Sequence, residues 1–202
     1  MPPKGEAAAE QARLHATRFE DKNWYVRLAA VQTLGTCGVE QVVTHGAALS
    51  KMLEDAEYKV RQAAVTALST SAEAVLHNSE ELAKLLEHPA GCVREAAVQA
   101  LGTSAEAVQQ HSAALTLRLE DKEWDVRHAA VKVLGASSGT VREHEEALKG
   151  RLEDSEWYVR KAAAHALLSP EEKAKPEVEE VTLPPPSPGN AASIAGCVLV
   201  ED

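Results

Sequence analysis

A chain of 202 residues with 45% hydrophobic content has the length of a globular domain, yet one Phe, three Tyr and three Trp are too few for one thick core. A formal net charge of −10 argues against nucleic acid as a partner, because phosphate backbones are held by clustered Lys and Arg. There is no apolar leader, no run near the roughly 20 apolar residues of a membrane span, and no short spacing among Cys37, Cys92 and Cys197. These features predict a protein of the reducing cytoplasm or nucleus, with neither a disulfide framework nor a zinc site.

Residues 1–5 hold Pro2, Pro3 and Gly5 and are expected to fray. From Glu6 to Glu20 the composition is that of a strong helix former, polar on one side as a terminal capping element must be. Asp21 to Asn23 then turn the chain into a second helix, Trp24 to Leu34. From here the sequence repeats itself. A stretch written most fully from Leu119 to Gly135 recurs at 19–35, 53–69, 86–102 and 152–168, with its Val-Arg pair at 26/27, 60/61, 93/94, 126/127 and 159/160. A fixed step of 34, 33, 33 and 33 residues marks a stacked repeat array.

Within the stretch, Val126, Ala129, Ala130, Val133 and Leu134 sit at steps 0, 3, 4, 7 and 8, on one side of a helix. Asp121 is placed to accept N–H groups at the helix start, and Gly135 stands where a left-handed exit residue is favoured. A preceding helix in each later copy carries Val42, Leu49 and Leu53, then Val75, Leu82 and Leu86, then Val108, Leu115 and Leu119, then Val141, Leu148 and Leu152. Neither helix can bury its stripe alone, so several copies must stack. The expected repeats are 6–35, 36–69, 70–102, 103–135 and 136–168.

After Leu168 the period stops. Ser169-Pro170 ends the last helix, and residues 169–202 hold seven acids against two bases, with Leu183-Pro-Pro-Pro-Ser-Pro188 favouring polyproline II. This segment is expected to be a disordered acidic tail. As a ligand for a small proline-binding domain its proline run is weak, since no Arg or Lys flanks it.

The Leu-x-Asp-x-x-x-x-Val-Arg-x-Ala-Ala-x-x-x-Leu-Gly skeleton resembles HEAT repeats over residues 6–168, and looks most like the shorter HEAT-like form of bilin lyases. The resemblance implies an all-α solenoid of five antiparallel helix pairs. It also implies a ladder between adjacent repeats, built from Asp21, Asp55, Asp121 and Asp154 with Arg27, Arg61, Arg94, Arg127 and Arg160. The bottom-up reading agrees, because a charge kept at one register in every copy is better explained by a neighbouring copy than by a ligand. Repeat three departs, with His88, Pro89 and Gly91 in its turn, which predicts the weakest joint there.

Two further registers call for a reading. Trp24, Tyr58, Trp124 and Trp157 open the second helices, and each ring is expected to cover its helix start and pack on the preceding helix. His45, Asn78, His111 and His144 recur ten residues before the turn position. HEAT-like deoxyhypusine hydroxylases, similar in fold, hold a di-iron centre with repeated His-Glu pairs, but only His144-Glu145 makes such a pair here. Asn in the same slot points instead to a shared side-chain hydrogen bond, so no metal and no cofactor is predicted.

Positions that vary between copies are not dictated by the stacking the copies share. On the second helix these lie at steps −1, +2 and +6 from the Val. They read Tyr25, Leu28 and Gln32; Lys59, Gln62 and Thr66; Cys92, Glu95 and Gln99; Asp125, His128 and Lys132; Tyr158, Lys161 and His165. The resemblance would line this stripe along the inner surface, where mixed polarity with Tyr at both ends suits a protein or peptide partner. Plain solvated positions with drifting composition remain the open alternative. The predicted protein is a monomeric, non-enzymatic interaction scaffold; a HEAT-like enzyme, hydroxylase or bilin lyase, is the alternative.

Overall fold

The computed structural model describes residues 4–169; the expected tail lies outside them. Among the described residues there are helices and short turns and no strands, and none of the helices is long and apolar enough to cross a membrane. The chain forms two compact units, one up to Ala107 and one from Val108.

In the first unit α1 (Lys4–Ala16) packs on α2 (Trp24–Thr36). Two helix pairs follow, each with its first helix in two pieces: α3 (Val39–Thr44) and α4 (Gly46–Lys51) before α5 (Tyr58–Leu68), then α6 (Ala72–His77) and α7 (Ser79–Leu85) before α8 (Gly91–Leu101). The second helices α2, α5 and α8 contact one another in sequence, and α3 meets α6 while α4 meets α7. A short α9 (Ala105–Gln110) spans the division. The second unit continues with α10 (Ser112–Leu117), α11 (Trp124–Leu134), α12 (Ser138–Glu143), α13 (Glu145–Gly150) and α14 (Trp157–Leu167), with α11 against α14.

The core follows the recurring apolar positions. Val60, Val93, Val126 and Val159 are wholly buried, as are Val42, Leu49, Leu53, Val75, Leu82, Leu115 and Leu148. Each such Leu or Val contributes roughly 1.5–3 kcal/mol on leaving water. Two expectations about the second helix change. The wholly buried side chains Val31, Val98 and Val131 stand at step +5, whereas Val133 at step +7 is only half-buried. A helix packed on both sides buries more than one stripe, so the second set appears where no single-face pattern predicts it. Gly135, expected in a left-handed exit, has φ −81 and ψ −4. Its role is close approach: a Cβ there would sit 2.5 Å from the Ala166 Cβ of α14, and one on Gly35 would sit 2.9 Å from the Ala67 Cβ of α5.

The split in each first helix falls on the histidine register. His45, Asn78, His111 and His144 all adopt φ between −104 and −115 with ψ between 13 and 21, ending one helical piece and opening the next. A break of this kind frees carbonyl groups that need donors. Asn78 Nδ2 donates to the Ala74 carbonyl at 2.8 Å, and His144 Nδ1 lies 3.1 Å from Thr116 Oγ1. The Asn78 amide occupies the space where any side chain on residue 46 would stand, which explains Gly46.

Two rungs of the charged ladder stand within the units. Arg27 grips the Asp55 carboxylate with both edges of its guanidinium, Nε to Oδ2 at 2.6 Å and Nη2 to Oδ1 at 2.8 Å. Arg127 does the same to Asp154, at 2.8 Å on each side. The remaining guanidinium nitrogen donates to turn carbonyls: Arg27 to Asp21, Arg61 to Asp55 and Ala56, Arg94 to His88 and Pro89, Arg127 to Asp121, and Arg160 to Asp154 and Ser155. Each turn Asp in turn accepts the N–H two residues on, from Asn23, Glu57, Glu123 and Glu156. One side chain therefore closes its own turn and, in two rungs, holds the previous repeat's arginine. In repeat three His88 Nδ1 accepts the Ala90 N–H at 3.1 Å, which preserves the turn without the charge. Arg61, buried to 3% exposure, donates to two turn carbonyls beneath the Tyr58 ring, and burial lowers its pKa against the opposing pull of the Asp55, Glu95 and Glu57 carboxylates.

Candidate interaction surface

No position of the varying stripe of the second helices is fully buried. Tyr25, Gln32, Lys59, Thr66, Lys132, Tyr158 and His165 are exposed, while Leu28, Gln62, Cys92, Glu95, Gln99, Asp125, His128 and Lys161 are half-buried. Helical geometry brings steps −1, +2 and +6 to one side of each helix, and side-by-side packing of second helices within a unit sets these short rows next to one another.

In the first unit the stripe is aromatic and cationic at one end. Tyr25 stacks on Trp24 with centroids 3.6 Å apart, and Lys59 Nζ of the next repeat lies 5.4 Å from the Trp24 centroid. Tyr58 is 60% exposed and its hydroxyl lies 3.3 Å from Gln62 Oε1. Glu95 Oε1 accepts from Gln99 Nε2 along α8. Tyr58 therefore joins the surface instead of covering its helix start. Cys37 is a free thiol.

The second unit holds a continuous aromatic group. Tyr158 stacks on Trp124 at 5.6 Å and meets Trp157 edge-on at 5.0 Å; His128 approaches Trp124 at 6.3 Å, and Lys161 Nζ stands 5.2 Å from the Trp157 centroid. Trp124 thus pairs with a ring of the following repeat. Burial, with Lys132 beside it, lowers the His128 pKa. Burial, with Glu123 and Glu156 nearby, raises that of Asp125.

A second arginine device was not foreseen. Arg151 Nη1 donates to the Leu119 carbonyl of the preceding repeat at 2.8 Å. The signal was present as Arg118 and Arg151 in one register, where the earlier repeats have Met52 and Leu85. Among the described residues no group of three or more His, Cys, Asp or Glu is placed to hold a metal ion.

The model for HEAT repeats matches residues 12–102 and 112–188. The chain belongs to the HEAT-repeat family. Solved structures similar to this HEAT-repeat protein include a chain from the complex of CpcE and CpcF of phycocyanin lyase from Nostoc, 22% identical, with TM-score 0.58 over 77% of this chain and 96% of that one. A designed armadillo repeat protein in complex with the peptide (KR)4 is 23% identical, with TM-score 0.54 over 80% and 81% of the two chains. Computationally designed armadillo repeat proteins for modular peptide recognition match at 23% identity and TM-score 0.50, over 81% and 89%. At these identities the likeness is one of fold. No curated protein matches the chain significantly.

Proposed function

We propose that this HEAT-repeat protein is a non-catalytic interaction scaffold that takes a protein or peptide partner on the exposed stripe of its second helices. The observation that carries the reading is the exposure of Tyr25, Tyr58 and Tyr158, at 62%, 60% and 49%, beside half-buried indoles. Large rings that are left open cost a monomer apolar exposure, and such residues supply most of the affinity in protein interfaces. The polar residues between them, Gln32, Gln62, Glu95, Asp125, Lys132 and His165, give the stripe the mixed polarity of a peptide-binding rim. Peptide recognition by the designed armadillo proteins is consistent with this use of the fold.

The experiment is capture of the partner by proximity labelling in the native cell, followed by affinity measurement with purified components. Simultaneous substitution of Tyr25, Tyr158 and Lys161 by alanine should weaken binding at least tenfold, since one such anchor is worth more than about 1 kcal/mol. Unchanged affinity would sink the reading. A lyase-like activity rests on likeness of fold alone, and fold does not fix function. Stoichiometric iron or chromophore in the purified protein would favour an enzyme instead.

A further inference from the structure

Burial along the repeats reveals two unfinished faces. Leu53 and Leu119 are at most 1% exposed, yet Leu152 at the same register in the last described repeat is 40% exposed. Leu68 and Leu134 are wholly buried where Leu167 is half-buried, and Val31 and Val131 are wholly buried where Ala164 is half-buried. These registers face the repeat that follows. The first repeat shows the opposite loss: Val26 is half-buried where Val60, Val93 and Val159 are wholly buried, so this register faces the repeat that precedes.

The polar devices stop at the same two faces. Inside the units an arginine grips the carboxylate of the next turn, as Arg27 does with Asp55 and Arg127 with Asp154. Arg160 gives Nη1 to the Asp154 and Ser155 carbonyls, but no carboxylate among the described residues takes its Nε and Nη2 edge. Asp21 is the converse: it is exposed, it accepts the Asn23 N–H, and no arginine of a preceding repeat holds it among the described residues. The second device behaves alike. Arg151 donates to the Leu119 carbonyl of the preceding repeat. Arg18, exposed in the first repeat, has the register of Arg151, and Leu152 has the register of Leu119.

We propose that the first-repeat face of one copy of this chain stacks on the last-repeat face of a second copy, with Asp21 on the guanidinium of Arg160 and Arg18 on the Leu152 carbonyl. The two faces are complementary because each carries one half of a contact that the chain already makes between its own repeats. A paired Arg and carboxylate give the contact its register through two parallel bonds, and Val26 on one side with Leu152, Ala164 and Leu167 on the other supply apolar surface to bury. The joined surfaces are unlike, so the contact runs head to tail from copy to copy. The chain then associates through its ends, in place of the monomer expected from its sequence. The stripe of the second helices takes no part, so the binding face stands or falls separately.

The test is sedimentation velocity of the full chain over about three decades of concentration. The mean mass of the natural chain should rise with concentration. Arg18→Glu combined with Asp21→Asn disables the first-repeat face, the Asn keeping the acceptor for its own turn, and Leu152→Glu disables the last. All three positions are exposed, so both variants should keep the natural helix content by circular dichroism. Each variant alone should associate at least about tenfold more weakly, the loss expected when one partner of a bonded charge pair is removed or a charge is set in an apolar contact. An equimolar mixture of the two should form a dimer and nothing larger, since only one working face of each kind remains. A natural chain that stays monomeric throughout overturns the proposal, as it must if residues 170–202 cover the last face. Association that survives in both variants, or a mixture that gives no dimer, overturns it too.

Discussion

Replacing His88 by Asp should complete the missing rung and stabilise the first unit. Arg61 has already lost its water: it is 3% exposed, with burial lowering its pKa. In the equivalent places Arg27 and Arg127 hold a carboxylate through two bonds of 2.6–2.8 Å. Hydrogen bonds to charged groups are worth about 1.5–3 kcal/mol, from which desolvation of the new carboxylate must be taken. Glu54, whose Oε2 lies 3.9 Å from His88 Nε2 with its side chain 46% exposed, subtracts a further few tenths through repulsion. A net gain of about 1–2 kcal/mol corresponds to a rise of about 2–8 °C in melting temperature for a chain of this size. The Ala90 N–H bond carries over, because Asp55 and Asp154 accept the equivalent N–H at 2.9 Å. His88→Asn is the control, since it keeps the turn acceptor without the charge. Thermal unfolding gives the magnitude, and native-state hydrogen exchange at residues 87–95 shows whether the gain is local. These amides should exchange faster than the other turns in the natural chain and slow selectively in His88→Asp. If Asp stabilises no more than Asn, the ladder does not do what the distances suggest.

Gly135→Ala should destabilise by about 0.5–2 kcal/mol, because overpacking of about 1–3 kcal/mol outweighs the helix gain of about 0.5–1; a melting temperature equal to the natural chain's would show that α11 and α14 can move apart freely. Leu82→Ala, at a wholly buried site, should cost about 2–5 kcal/mol by chemical denaturation. Leu152→Ala, at 40% exposure in the last described repeat, should cost less than half as much, and equal costs would contradict the assigned register. Burial alone would raise the Asp154 pKa, but the bonds from Arg127 and the Glu156 N–H hold it below the usual carboxylate value. Its contribution is therefore complete above the unfolded value of about 3.9 and is lost as pH falls through the folded one. Acid unfolding midpoints for the natural chain and Asp154→Asn should converge at low pH and separate above it.

The helical repeat and the core face were legible because stacking forces the same Val, Ala and Leu into every copy. The pairs Arg27–Asp55 and Arg127–Asp154 were legible for the same reason. The break at His45, Asn78, His111 and His144 was not, because Val42 and Leu49 keep their seven-residue spacing across it. Gly135 shows a different limit: glycine marks either a left-handed turn or a close neighbour, and only the position of Ala166 decides between them. Tyr58 was grouped with the indoles by register, yet it projects into solvent while they are half-buried. Side chains at equal register need not share an environment when their outer neighbours differ, and the stripe at −1, +2 and +6 is where those neighbours vary most.

If the exposed stripe serves a partner and the buried register holds the stack, an alanine scan of folding stability across both sets tests that division most directly. Substitutions at Gln32, Lys132 and His165 should each change stability by less than about 0.5 kcal/mol and those at Tyr25 and Tyr158 by no more than their ring stacking, about 0.5–1.5 kcal/mol, while those at Val60, Leu82, Val126 and Leu148 should each cost about 2 kcal/mol or more. If the exposed stripe proves as costly to remove as the buried register, its side chains belong to the architecture and the proposed binding face does not exist.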